Sequence, residues 1–300
     1  MKKIVGLILT LFSQVLFAEV NLYIKDSPTP YQIHEMEDIL DKFQQIAPEK
    51  NILFYVHGRA INLEKNILRI NQLEANYNVK VVMLKWDAWT GPLSRPTENA
   101  RIASSYLFKS LLEIKKYKQT HPDYFENNKI TFFCHSMGNL VLKNMIENYL
   151  DKYPELNASP IFDNFISVGA DVPLVGHQNW LSQIKFAKSK YVTSNNRDGT
   201  LTKSYLLDLK KFNPLSYKLG LGLESIHGAI KKVKSNLDSK TFYLNFSKIL
   251  KDEHAYYLSS DESISDVFSR LFNGEKFLND HSLLPKLKIK RVKNIITLSR

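Results

Sequence analysis

Lys129-Ile130-Thr131-Phe132-Phe133-Cys134-His135-Ser136-Met137-Gly138-Asn139-Leu140-Val141-Leu142 joins a run of strand character to a run of helical character, with only His-Ser-Met-Gly between them. A chain that passes from a strand into a packed helix over so few residues must turn sharply. Small residues two before and two after the tip let the flanking backbones approach. Ser136 stands at that tip, raised out of the sheet, where a base can reach its hydroxyl. The pattern is G-x-S-x-G with Cys134 in place of the first Gly. It predicts a nucleophile elbow, and the plain alternative is a surface serine in an ordinary strand-to-helix turn. The strand before and the helix after favour the elbow.

Outward from this stretch, Asn51 to Val56 is a short continuous apolar run, the signature of a strand buried on both faces, and Val79 to Leu84 is expected to be a second buried strand. Further strands are expected at Asn21–Ile24 (an edge), Phe162–Val168, Lys190–Ser194 and Thr241–Phe246, the last clear one. Helical spacing runs through Ile33, Met36, Ile39, Leu40, Phe43 and Ile46, and again through Leu63, Ile67, Ile70 and Leu73, where Asn62 is placed to cap. A long helix is predicted from Thr97 to about Tyr117. Strands alternating with helices of this length predict an α/β fold, a mostly parallel sheet covered by helices on both faces. Residues 19–300 read as one domain. Residues 210–239, with Pro214, Gly220, Gly222 and Gly228, read as an irregular insertion whose Leu215, Leu219, Leu221, Leu223 and Ile226 suit an apolar lid.

Net charge is +11, unevenly placed. Lys2 and Lys3 belong to the N-terminal segment, and Lys286, Lys288, Lys290, Arg291, Lys293 and Arg300 form a basic tail over 284–300. Without those eight the body carries only +3. Nucleic-acid binding, which needs a basic face on the body, is therefore ranked out. The tail is expected to be a solvated strand or helix, with contact to an anionic membrane as its functional alternative. Met1-Lys2-Lys3 followed by an uncharged stretch from Ile4 to Ala18 has the parts of a secretory signal over 1–18. The expectation is a secreted or periplasmic protein starting near Glu19; Leu16, three before the cut, leaves an uncleaved anchor as the alternative. One cysteine, Cys134, excludes an intrachain disulfide and reads as a small buried hydrophobe. No metal-ligand spacing and no phosphate-cradling glycine motif occur, so neither metal nor cofactor is expected.

In open α/β sheets ligands bind at the carboxyl ends of the strands. His57-Gly58, Trp86-Asp87, Ser136, Asp171, Asp198 and His254 each follow a predicted strand, so all should converge on one edge. Trp86 and Trp89 are expected either to line a pocket there or to be core.

These motifs resemble the α/β-hydrolases, and especially the bacterial α/β-hydrolase family of unknown function with His-Ser-Met-Gly-Asn at the elbow. The likeness covers roughly Ile52 to Phe272. It extends to His57-Gly58 after the family's third strand, Gly169-Ala170-Asp171 after the sixth, Asn196-Arg197-Asp198-Gly199-Thr200-Leu201 after the seventh, and His254-Ala255-Tyr256-Tyr257 after the eighth. The departures are Cys134 for glycine and Arg197 inside the Asn-Asp pair. The resemblance implies a serine esterase or lipase acting through an acyl-enzyme on a small-molecule or lipid ester, with a silent binding module of the same fold as the alternative. Ser136 would be the nucleophile, His254 the base, and Asp198 the acid, with Asp171 as rival. His227 and His281 are rival bases. Backbone N–H groups of Met137 and Arg59 would form the oxyanion hole. His57 and His135 are expected to be structural.

Overall fold

The computed structural model describes residues 20–25, 27, 29–60, 62–92, 94–210, 220–223, 241–277 and 287–300. The expected signal segment over 1–18, the candidate rival bases His227 and His281, and most of 210–239 lie outside these residues.

Among the described residues, nine strands form one sheet in the order β1-β3-β2-β4-β5-β6-β7-β9-β8. In chain order they are β1 (Asn21–Tyr23), β2 (Asn51–Val56), β3 (Val79–Lys85), β4 (Ile130–His135), β5 (Phe162–Val168), β6 (Ala187–Ser194), β7 (Thr241–Asn245), β8 (Lys288–Val292) and β9 (Ile295–Ser299). The edge strands β1 and β8 pair antiparallel with their neighbours, and every other pairing is parallel. The helices are α1 (Met36–Ile46), α2 (Leu63–Asn76), α3 (Thr97–Thr120), α4 (Pro122–Asn127), α5 (Gly138–Met145), α6 (His177–Leu181), α7 (Gly199–Lys210) and α8 (Glu262–Phe272).

Period-two alternation sorts the strand side chains into two layers. Ile52, Phe54, Val56, Phe132 and Cys134 pack in one core with α1, α3 and α5, and Leu53, Tyr55 and Phe133 in the other with α2 and α8. α1 buries Met36, Ile39, Leu40 and Phe43, spaced three and four apart, and each such burial stabilises by about 1.5–3 kcal/mol. Asn62 caps α2 by accepting from the Lys65 N–H at 3.3 Å.

The sheet does not end at Thr241–Phe246. β9 pairs parallel with β7, and β8 turns back onto β9 through Lys293 at φ 54°. Ile295, Ile296 and Leu298 are buried while Lys288, Lys290 and Arg291 face solvent. The basic tail is therefore a hairpin whose outer strand carries the charge. Lysines on an exposed edge strand discourage edge-to-edge association.

Parallel pairing puts the carboxyl ends of β2, β3, β4, β5, β6 and β7 on one edge. Residues 220–223, inside the predicted lid, pack into that edge. Leu221 is buried, Gly222 N–H donates to the Ala170 carbonyl at 3.1 Å, and Asn195 N–H donates to the Gly222 carbonyl at 2.9 Å. A Cβ on Gly222 would stand 2.5 Å from Ala170 N, so only glycine fits this crossing.

Candidate active site

Ser136 has φ 52°, a left-handed conformation that costs a non-glycine residue about 1–2 kcal/mol. Neighbouring contacts hold it there. Its N–H donates to the Val168 carbonyl at 2.9 Å, and its carbonyl accepts from Asp171 N–H at 3.3 Å. The Asn139 amide, fully buried, donates to the carbonyls of Cys134 (3.2 Å) and Ser136 (3.1 Å) and accepts from Ser167 Oγ at 2.6 Å. Both glycines beside the turn are sterically required. A Cβ on Gly138 would meet the Val56 carbonyl at 2.4 Å, and one on Gly58 would meet Ser136 Cβ at 2.5 Å. Cys134, at the position of the missing first Gly, is buried, and burial pushes its thiol pKa up, away from the reactive thiolate.

Asp198 follows β6 and is wholly buried. One carboxylate oxygen accepts from Thr200 N–H and Leu201 N–H, both at 2.9 Å, at the start of α7. The other takes a hydrogen bond from His254 Nδ1 at 2.7 Å. A carboxylate on Nδ1 makes that nitrogen the N–H and leaves Nε2 as the acceptor. The His254 loop is clamped from two sides. The Asn195 amide donates to the carbonyls of Lys251 (3.0 Å) and Glu253 (3.1 Å), and Tyr77 Oη donates to the Tyr257 carbonyl at 2.6 Å. The imidazole lies on Gly169, where a Cβ would stand 3.0 Å from His254 Cε1. Ser136 N–H is hydrogen-bonded to the carbonyl of Val168, the residue before Gly169, so Ser136 and His254 both stand at the end of β5. No hydrogen bond joins their side chains.

Asp171 does not stand behind the histidine. Its carboxylate pairs with Arg95 at 3.0 Å and accepts from Ser204 Oγ at 3.1 and 3.2 Å. Ser136, Met137, Arg59, Arg95, Asp171, Thr200, Lys203 and Ser204 line a cavity of about 460 Å³. The backbone N–H groups of Met137 and Arg59 have no acceptor among the described residues.

His57 Nδ1 donates to the Gly58 carbonyl at 2.6 Å and its Nε2 accepts from Trp86 N–H at 3.2 Å, while Trp86 Nε1 donates to the His57 carbonyl at 2.9 Å. Burial brings its pKa down to about 3, so it is a neutral brace between the loops after β2 and β3. Trp86 is therefore core, whereas half-buried Trp89 carries the Arg59 guanidinium on its face at 4.5 Å. His135 is also buried, its ring 4.7 Å from that of His254, and burial together with that neighbour holds its pKa well below the usual histidine range. Among the described residues, no three His, Cys, Asp or Glu side chains are grouped to hold a metal ion. Sequence reading missed Asn139 as a clamp, although it stands in the quoted motif, and Asn195, which looked like one more polar residue of a turn.

No curated protein matches the chain. Among solved structures, the chain is similar to lipase B of Aspergillus fumigatus (15% identity over 50% of this chain and 38% of that one, TM-score 0.30), so it spans well under half of that lipase. It is similar also to the dienelactone hydrolase of Anabaena variabilis ATCC 29413 (13% identity, 74% and 83% covered, TM-score 0.33). A third is esterase 2 of Thermogutta terrifontis (8% identity, 80% and 81% covered, TM-score 0.33). The family model described as an alpha/beta hydrolase of unknown function, DUF900, matches residues 33–209, more than half of the chain and inclusive of the elbow and Asp198. The chain belongs to that alpha/beta-hydrolase family.

Proposed function

We propose that the protein is a serine hydrolase that cleaves a carboxylic ester through an acyl-enzyme on Ser136. The observation that carries this reading is the buried 2.7 Å Asp198–His254 hydrogen bond, at the same strand edge as a serine held at φ 52°. A serine hydroxyl is a weak nucleophile at neutral pH and needs a base within reach. His254 Nε2 takes the proton as Ser136 Oγ bonds to the ester carbonyl carbon. The carbonyl π electrons move to oxygen, and that oxyanion is received by the N–H groups of Met137, at the start of α5, and of Arg59. One such donor is worth about 3–4 kcal/mol. Collapse expels the alkoxide, which takes the proton from His254. Water, deprotonated by the same imidazole, then attacks the acyl carbon and restores Ser136 with release of the acid. Asp198 holds the imidazole tautomer and stabilises its charged form throughout. The Ser136–His254 hydrogen bond forms when substrate settles, as such bonds are often long in empty sites.

A fluorophosphonate probe tests the reading. Ser136 in the folded wild-type chain should label, and Ser136→Ala should abolish labelling and ester hydrolysis while shifting stability by no more than about 0.5 kcal/mol. A folded wild-type chain that neither labels nor hydrolyses esters would instead be a silent binding module.

A further inference from the structure

The charge of the cavity above Ser136 goes beyond that mechanism. Arg59, Arg95 and Lys203 line it against a single carboxylate, Asp171. Arg95 and Ser204 engage that carboxylate, the former as an ion pair of 3.0 Å. Arg59 and Lys203 are left with no carboxylate in ion-pair distance among the described residues. Arg59 is held in place: its guanidinium stacks on Trp89 at 4.5 Å and donates to the Gly91 carbonyl. Its Nε is buried with no hydrogen-bond partner among the described residues, and burial is the main influence lowering its pKa. Asp171, already paired with Arg95, acts on the Arg59 guanidinium only at a distance, so a fixed, partly desolvated cation in a lining of three cations and one carboxylate gains when an anion enters. Arg59 also directly follows Gly58, whose backbone touches the elbow, so such an anion would sit a few bonds from the scissile carbonyl.

We infer that the substrate is an anionic ester, one whose cavity-bound portion carries a carboxylate or phosphate-type oxyanion received by Arg59, with Lys203 at the exposed rim. This rests on Ser136 being the nucleophile, and it names the substrate class for that reaction. It also differs from the lipid ester that an apolar lid over 210–239 would suit. A planar guanidinium binds either oxyanion bidentately, so the two sources are separated by experiment.

Three 4-nitrophenyl esters matched in length, with acyl chains ending in methyl, carboxylate or phosphonate, provide the test. At low ionic strength the wild-type kcat/KM should favour at least one anionic ester over the methyl-ended one by about tenfold or more. The preference should shrink in about 0.5 M salt, because part of the attraction is screened. The better anionic ester identifies carboxylate or phosphate as the group. Arg59→Gln should reduce the preference toward parity, mainly through KM, and Arg59→Lys should restore part of it. Equal losses on all three esters would mean that Arg59 is only structural and would overturn the proposal, as would a wild-type preference for the methyl-ended ester. If Arg59→Gln does not fold, Lys203→Gln and the salt dependence give the same contrast. Fluorophosphonate labelling of Ser136 without an anion preference sinks this proposal alone. No labelling and no turnover of any ester sinks the hydrolase reading and this one together.

Discussion

Asp198→Asn isolates one proton. In the wild-type site, one Asp198 oxygen accepts two backbone N–H groups at 2.9 Å and the other accepts His254 Nδ1 at 2.7 Å. An asparagine must choose which group faces which. Turning its NH2 toward Thr200 and Leu201 would leave two buried donors unpaired, at about 1–3 kcal/mol each, whereas turning it toward His254 disturbs one contact. The amide oxygen therefore stays on the start of α7, and the NH2 faces Nδ1. Nδ1 must then accept, the ring proton moves to Nε2, and the imidazole can no longer take the Ser136 proton. The same tautomer reversal in serine proteases lowers kcat on the order of 10⁴-fold, equivalent to about 5.4 kcal/mol of barrier. Stability should change by less than about 1 kcal/mol, because asparagine caps a helix nearly as well as aspartate. The assay pairs kcat for 4-nitrophenyl acetate and the fluorophosphonate labelling rate with a urea unfolding curve, beside Asp171→Asn as control. Activity within tenfold of wild type, or a larger loss from Asp171→Asn, would refute the assignment of Asp198.

Asn139→Ala should destabilise the fold by about 1–3 kcal/mol in urea, because Ser167 Oγ and the elbow carbonyls lose a fully buried partner. It should also slow labelling of Ser136, whose φ of 52° it helps to impose. His57 has its pKa lowered from 6.5 to about 3 by burial, so below pH 6.5 the unfolded chain binds a proton that the native one refuses. Stability is then fully present above pH 6.5 and is lost as pH falls toward about 3, with a slope from this group approaching about 1.4 kcal/mol per pH unit. Urea midpoints taken from pH 7 to 5 check this, and a flat profile would count against a buried neutral His57.

The architecture was legible wherever a local rule coincided with the tertiary outcome. A nearly continuous apolar run such as Asn51–Val56 can satisfy its backbone only between two neighbouring strands, and it lies inside the sheet. β8 and β9 were not legible as a pair. Lys288 to Val292 alternates charged and apolar residues as an edge does, and nothing local tells such a run that β9 will join β7. Of the expected insertion over 210–239, the described residues 220–223 lie against the sheet edge, where Leu221 is buried and Gly222, having no Cβ, comes close to Ala170.

The sequence by itself determined the elbow, since Ser136 between a strand and a helix with Gly138 two residues on leaves the backbone little other way to turn. It determined too that Asp198 and His254 would follow strands of the same sheet, because parallel pairing sends the carboxyl ends to one edge. Only the tertiary structure decided which aspartate meets His254. Asp171 and Asp198 are equivalent in local pattern, each a few residues past a buried strand. Asp171 is drawn away by Arg95, distant in the chain, while Asn195 binds the carbonyls of Lys251 and Glu253 and so brings the His254 loop onto Asp198. Long-range partners of this kind leave no periodic trace in sequence, so the chain order of Ser136, Asp198 and His254 was readable and the Asp198–His254 contact was not.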